Sequence, residues 1–170
     1  NEKADLYLNK MSKLIRSTLN YSNEASIPLQ EEIAYLKTYL ELESLRFDDK
    51  FVYQIETNYP ESMHMFLIPT MVLQPHVENA IRHGLKPKRN GMQELVLRFY
   101  VEENYFICEV EDNGIGRLQS MKLKEQNQKL HNSQGISLSD SKLNIFKKIS
   151  NKEIRTEIID KHIDGTPTGT

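Results

Sequence analysis

The chain of 170 residues contains a single cysteine, Cys108, so no intramolecular disulfide can form. That usage fits a reducing compartment. Cys108 lies in the run Tyr105-Phe106-Ile107-Cys108, where a buried strand thiol is the expectation and a nucleophile is not. Long apolar runs are also lacking. None approaches the roughly 20 residues that span a bilayer, and no signal-peptide pattern is present. Neither sign of charge dominates: 22 basic against 24 acidic residues give a formal net charge of -2, which removes any electrostatic case for nucleic acid. Internal repeats are missing as well. What remains is 38% hydrophobic and 27% charged, the balance of a soluble globular protein with one good core and a small helical appendage.

Residues 2 to 22 read as a helix with Leu8, Met11, Ile15 and Thr18 on one stripe and Leu14 beside it. Nothing local covers that stripe, so a partner helix is expected against it. After a break from Ser22, Pro28 suits the first turn of a second helix, with Glu31 and Glu32 near its positive end. Its apolar face (Leu29, Ile33, Leu36, Leu40, Leu42, Leu45) continues to about Phe47. Phe51 to Glu56 is a strand pattern, and Pro60 and Pro69 bracket an irregular stretch. A third helix is expected from Thr70, through Met71, Leu73, Val77 and Ile81, to Gly84. Glu94 to Val101 and Tyr105 to Val110 read as a hairpin. From Arg117 to Gln134 the composition is polar and reads mainly as a mobile loop. A helix opening at Gly135, a strand over 153–159 and a closing loop over 161–170 complete the pattern. Asn1 opens in mid-helix without a Met and Gly169-Thr170 stands where a strand should begin, so both ends read as cut.

Two segments carry chemistry. The first, Gln74-Pro75-His76-Val77-Glu78-Asn79-Ala80-Ile81-Arg82-His83-Gly84, sets a carboxylate and an amide side by side on a helix. Magnesium takes hard oxygen ligands and keeps several waters, so Asn79, offering its amide oxygen, is a sensible anchor. Glu78 points about 100° away, where it can hold a water or accept a proton. A solvated polar face is the plain alternative, but Val77 and Ile81 place the pair on the rim of a buried face. The second segment, Glu111-Asp112-Asn113-Gly114-Ile115-Gly116, puts a carboxylate at a strand end before a Gly-x-Gly turn. Asp112 can accept from an adenine amino group, and Gly114 and Gly116 let backbone approach a purine ring. A hairpin turn is the alternative, yet no second alternating run follows. Together the segments form the two halves of an ATP site. Lys122, Lys124 and Lys129 then belong to a lid over phosphates or to a solvated charge cluster, and Gly135 starts a helix whose free N–H groups face an anion. Arg82 and His83 close the magnesium helix within reach of phosphate. The basic loop from Lys86 to Arg89 reads as a solvated turn.

These residues resemble the catalytic half of sensor histidine kinases of the LytS/YehU type. Pro69, Leu73-Gln74-Pro75 and Val77-Glu78-Asn79-Ala80-Ile81 are similar to that family's asparagine box, and Asp112-Asn113-Gly114-Ile115-Gly116 to its first glycine box. Gly135-Ile136-Ser137-Leu138 stands where Gly-x-Gly-Leu is usual, and the helical stretches are similar to the phosphoacceptor and linking helices. The resemblance implies a two-layer α/β sandwich (the Bergerat-type ATP-binding fold) preceded by an N-terminal helical segment. Residues 1–47 would be a remnant of the dimerisation and linker region, and 48–170 an ATP-binding domain truncated before its last strand. It further implies ATP and Mg2+ as cofactors, a response-regulator receiver domain as partner, and homodimerisation through the N-terminal helices. The setting implied is the cytoplasmic side of a bacterial inner-membrane sensor. By carry-over Asn79 holds magnesium, Asp112 reads adenine, Gly114, Gly116 and Gly135 shape the pocket, and Glu78 orients or deprotonates the accepting imidazole. Two departures stand out. No Asn-Pro-His-Phe motif precedes Leu6, and none of His64, His76, His83, His131 or His162 replaces its histidine, so this piece is not expected to autophosphorylate. Ser137 in place of glycine adds a side chain near the phosphates. A degenerate or stand-alone module, acting as an ATPase or in protein interaction, is the alternative.

Overall fold

The computed structural model describes residues 2–47, 50–126, 140–145, 147–148, 154–163 and 166–169. Helix α1 (Glu2–Tyr21) leads into a short strand β1 (Ser26–Pro28) and helix α2 (Leu29–Ser44). Strand β2 (Phe51–Asn58), a single 3-10 turn (Glu61–Met63) and strand β3 (Leu67–Pro69) follow. Helix α3 (Gln74–Asn79) continues as a wider, π-helical stretch (Ala80–Leu85). Then come β4 (Gln93–Glu102), β5 (Tyr105–Asp112), α4 (Arg117–Gln126), β6 (Lys161–Ile163) and β7 (Thr166–Gly169).

The central sheet has the order β2-β4-β5, with β2 parallel to β4 and β4 antiparallel to β5. Period-two alternation sends Leu95, Leu97 and Phe99 of β4 to one face, where they are almost fully buried. There they meet Leu29, Leu36 and Leu40 of α2 and Val77, Ile81 and Leu85 of the α3 region in one apolar cluster. This is a two-layer α/β arrangement, helices on one side and sheet on the other. The opposite sheet face is charged. Arg98 reaches Glu56 at 3.1 Å and Glu109 at 3.3 Å, and also binds Glu111, which Lys161 contacts from β6. Cys108 on β5 has its thiol pushed up to about 12 by burial, the reverse of an activated nucleophile.

Helix α1 meets its partner within the chain. Tyr7, Lys10, Met11, Leu14, Ser17, Thr18 and Tyr21 form its shielded stripe. It faces α2 through Lys10–Glu41 at 2.5 Å, Tyr21 Oη donating to Glu31 at 2.5 Å, and Thr18 beside Tyr35 Oη at 3.3 Å. The expected stripe is thus split. Met11, Leu14 and Thr18 are half-buried while Leu8 and Ile15 stay exposed, as does Leu19 outside that stripe.

Four expectations need correction. Helix α3 starts at Gln74 and not at Thr70, because residues 70–73 form a turn in which Met71 takes a φ of 53°. Pro75, which lacks an N–H, suits only the first helical turn. Short β1 and β3 pair antiparallel, with Ser26 opposite Pro69, where no strand was expected. Residues 117–126 are helical and not a loop; Leu118, Met121, Leu123 and the interspersed Lys and Gln are good helix formers. Residues 154–160 carry no strand, and the ladder forms instead between β6 and β7, whose Ile163–Thr166 pairing brackets an Asp-Gly sequence.

Glu32 is the unusual core member. It is fully buried on α2, and its Oε2 and Oε1 accept from the backbone N–H groups of Met71 (3.0 Å) and Leu73 (3.2 Å). Burial pushes its pKa up to about 7, while the two N–H bonds and Lys142 pull it back. A raised carboxyl pKa favours folding below its unfolded value and loses that contribution as pH rises through the folded one. Relative to Glu32→Gln, the wild type is therefore expected to lose roughly 3 kcal/mol between about pH 4.5 and pH 7. Urea denaturation across that range checks it, and a pH-independent difference between the two proteins contradicts it.

Candidate functional site

Helix α3 presents its residues in two bands. Val77 and Ile81 are fully buried against the sheet, while Glu78, Asn79 and His83 are half-buried at the edge of that face. Glu78 is held by its own helix: Gln74 Nε2 donates to its Oε1 at 2.7 Å, one turn away. Burial raises the Tyr35 and Tyr39 phenols above the ordinary tyrosine range, and the Glu78 carboxylate adds to both shifts. Glu78 therefore lies on the α2 side of α3. Asn79 sits one helical step, about 100°, around from it, and among the described residues its amide has no hydrogen-bond partner.

The far end of this helical run meets the end of β5. Asp112, the last residue of the strand, is only 4% exposed, and its Oδ1 accepts from Gly114 N at 2.8 Å. Gly84 O accepts from Ile115 N at 3.1 Å. A Cβ at Gly84 would stand 2.6 Å from Asp112 Oδ1, and one at Gly114 would stand 2.3 Å from the Gly84 carbonyl carbon. Helix end and glycine turn thus touch backbone to backbone. Asn113 fixes the turn from the other side, its Oδ1 accepting from Glu94 N (2.9 Å) and its Nδ2 donating to Met92 O (3.2 Å). Gly116, with a φ of 74°, releases the chain into α4. From the C-terminal strand pair, buried Gly169 lies against the Asp112 carbonyl, where a Cβ would come to 2.0 Å.

The structure therefore joins Asp112, Gly114 and Gly116 to the α3 run that carries Glu78, Asn79 and His83. Asn79 lies roughly 6–8 Å along the helix from Gly84, by the rise per residue. Gly135, Ser137, Lys129 and the side chain of Lys124 lie outside the described residues, and Lys122 is exposed on α4. Sequence reasoning missed Gly84 as part of the site. It read only as a helix terminator, and its contact partner is 30 residues away along the chain. The Lys86–Arg89 loop is more built than a plain solvated turn. With Arg46, Phe47 and Lys50 it lines a cleft of about 290 Å³, and Gln93 Nε2 braces it by donating to Leu85 O (2.9 Å) and Lys88 O (3.1 Å).

The backbone contact makes a measurable distinction between glycines. Gly114→Ala is expected to cost about 3 kcal/mol or more, the upper end for overpacking, because its Cβ would overlap backbone. Gly91→Ala meets nothing within 4 Å and carries only the strain of its φ of 76°, about 1–2 kcal/mol. Urea midpoints compare them.

The histidine kinase family model matches residues 1–51, which cover α1, β1, α2 and the first residue of β2. The sensor protein LytS of Bacillus subtilis is 36% identical over 115 residues, 68% of this chain and 19% of that protein. LytS of Bacillus cereus is 35% identical over the same coverage. The sensor protein kinase HptS of Staphylococcus aureus is 32% identical over 129 residues, 76% of this chain and 24% of that protein. Alignments of this length necessarily run well past residue 51, into the sheet and the site. The chain spans about a fifth to a quarter of the length of these relatives. It belongs to the LytS-type sensor histidine kinases, as the counterpart of one segment of those longer proteins.

Proposed function

We propose that this chain is the ATP-binding catalytic portion of a sensor histidine kinase, with residues 1–47 as its helical dimerisation and linker segment and 48–170 as the nucleotide domain. One observation carries the reading: the α3 run bearing Asn79 and the turn bearing Asp112 pack directly on each other at Gly84 and Gly114. The residues present suit the ligand. A buried carboxylate flanked by close-packed glycine backbone matches the edge of a purine, and the Asn79 amide, without a hydrogen-bond partner among the described residues, offers magnesium one oxygen.

Bound ATP with Mg2+ supplies the γ-phosphoryl group and the charge that neutralises it. The remaining work belongs to the chain, and in phosphoryl transfer that work is mostly positioning and electrostatic stabilisation. Asp112 accepts from the adenine amino group, which orients the base. Gly114, Gly116 and Gly135 leave room for ring and phosphates, and His83 stands at the phosphate end of the helix. Asn79 holds the cation. Glu78, already oriented by Gln74 and set toward α2, accepts a proton from, or aligns, the histidine imidazole that receives the phosphoryl group. That histidine is not expected among the five of this sequence, so phosphohistidine should not form when the chain is alone.

Further along the relay we place an aspartate of a response-regulator receiver domain as the final acceptor. The exposed Leu8, Ile15 and Leu19 of α1 are the surface through which we place a homodimer in a membrane-bound sensor. No described helix is itself long and apolar enough to cross a membrane.

Titration calorimetry with ATP, with and without Mg2+, tests the site. Asp112→Asn puts a donor against the adenine amino group and should weaken binding by about tenfold or more, the weight of one charge-assisted hydrogen bond. Asn79→Ala should abolish the gain in affinity that Mg2+ brings while leaving Mg2+-free binding near wild type. Unchanged titrations in both folded variants would remove the proposal.

A further inference from the structure

The segment between β3 and α3 is held from two directions that the nucleotide reading does not use. From the α1–α2 connection, Thr70 N donates to Ala25 O at 3.3 Å and Thr70 Oγ1 donates to Glu24 O at 2.7 Å. Leu29 N donates to Phe66 O at 2.8 Å, extending the β1–β3 pairing. One turn further along α2, buried Glu32 accepts from Met71 N and Leu73 N. Leu73 is the cap residue immediately before α3. From the opposite side Lys142, in the helical residues 140–145, donates to Thr70 O at 3.0 Å.

A carboxylate with this placement does more than fill space. The N–H groups of Leu73 at the helix start and of Met71 in the turn before it need acceptors, and here the acceptor comes from another helix, about 40 residues earlier in the chain. The cap therefore fixes α3 relative to α2 and not merely relative to its own loop. Met71 takes its left-handed φ of 53° inside this turn, a conformation that non-glycine residues keep only when the surroundings hold it. Any rotation or slide of α2 must either carry α3 along or break these bonds, because a buried acceptor left without its donors is costly.

We infer that Glu32 is the positioning residue of α3: through Met71 and Leu73 it sets where Asn79 stands, so that displacement of α2 changes affinity for the magnesium-bound nucleotide. The inference rests on the nucleotide reading of the site and assigns a means of regulating it. The base-reading half belongs to β5 and meets the other end of the α3 run, at Gly84 and Gly114, so Mg2+-free binding should respond less to Glu32 than MgATP binding.

That asymmetry gives the test. In Glu32→Gln the carboxamide oxygen satisfies one N–H and its NH2 opposes the other. MgATP affinity, by calorimetry on the full chain, should then fall roughly tenfold, while Mg2+-free ADP affinity changes less than about twofold. Amide hydrogen exchange, measured in parallel without nucleotide, should be faster at Met71, Leu73 and along Gln74–Asn79 than in wild type. An equal loss for both nucleotides marks a general loss of folded protein and overturns the inference, as does no loss for either. If Glu32→Gln does not fold, Lys142→Met, which releases the same turn from the other side, should show the same selective loss and faster exchange. If wild type binds no nucleotide, the site reading is what fails. Exchange then decides the positioning role alone, and wild-type rates along α3 in the variants overturn it.

Discussion

Two backbones in van der Waals contact, without side chains between them, set the geometry of this molecule's candidate site. The end of the α3 run and the turn after β5 meet at Gly84 and Gly114, and Asp112 is pressed into the same junction. A Cβ at Gly114 would overlap the Gly84 backbone, and one at Gly84 would displace the Asp112 carboxylate. The core beneath makes this approach favourable. Val77, Ile81 and Leu85 bury one helical face against Leu95, Leu97 and Phe99, and apolar burial stabilises each such side chain by about 1.5–3 kcal/mol. The polar members then occupy the rim because the helix period leaves them no place in the core.

The second constraint lies at the other end of α3. A buried carboxylate on α2 is costly to ionise, and Glu32 accepts there from two N–H groups, Met71 in the turn before α3 and Leu73 at its cap. The β1–β3 pairing adds to the same attachment. The helical segment is consequently bonded to the site-bearing helix, not simply followed by it.

Much of this was legible in the sequence because it rests on local pattern. The hairpin β4–β5, the apolar face of α2, and the Asp-x-Gly-x-Gly turn follow from periodicity and glycine placement, and Asp112 indeed closes its strand. Other features depend on tertiary contact. Strands β1 and β3 have three residues each, too short for alternation to register. Glu32 looks like an ordinary first-turn acid, favourable near a helix N-terminus, and nothing local shows that α3 needs it. Thr70–Leu73 continues the apolar spacing of α3 but is bent away by the bonds to Ala25 and Glu32. Helix α4 was obscured by its polar composition, since only Leu118, Met121 and Leu123 interrupt it and all three are exposed.

The central claim is that nucleotide binds where the α3 run and the Asp112–Gly116 turn converge. The most direct measurement is a backbone amide NMR titration of the chain with MgATP. The account predicts shift changes centred on Asn79, Gly84, Asp112, Gly114 and Gly116, with the amides of Lys50, Lys88 and Arg89 around the basic cleft little changed. Shifts confined to that cleft, or absent at saturating MgATP in a folded sample, would contradict it.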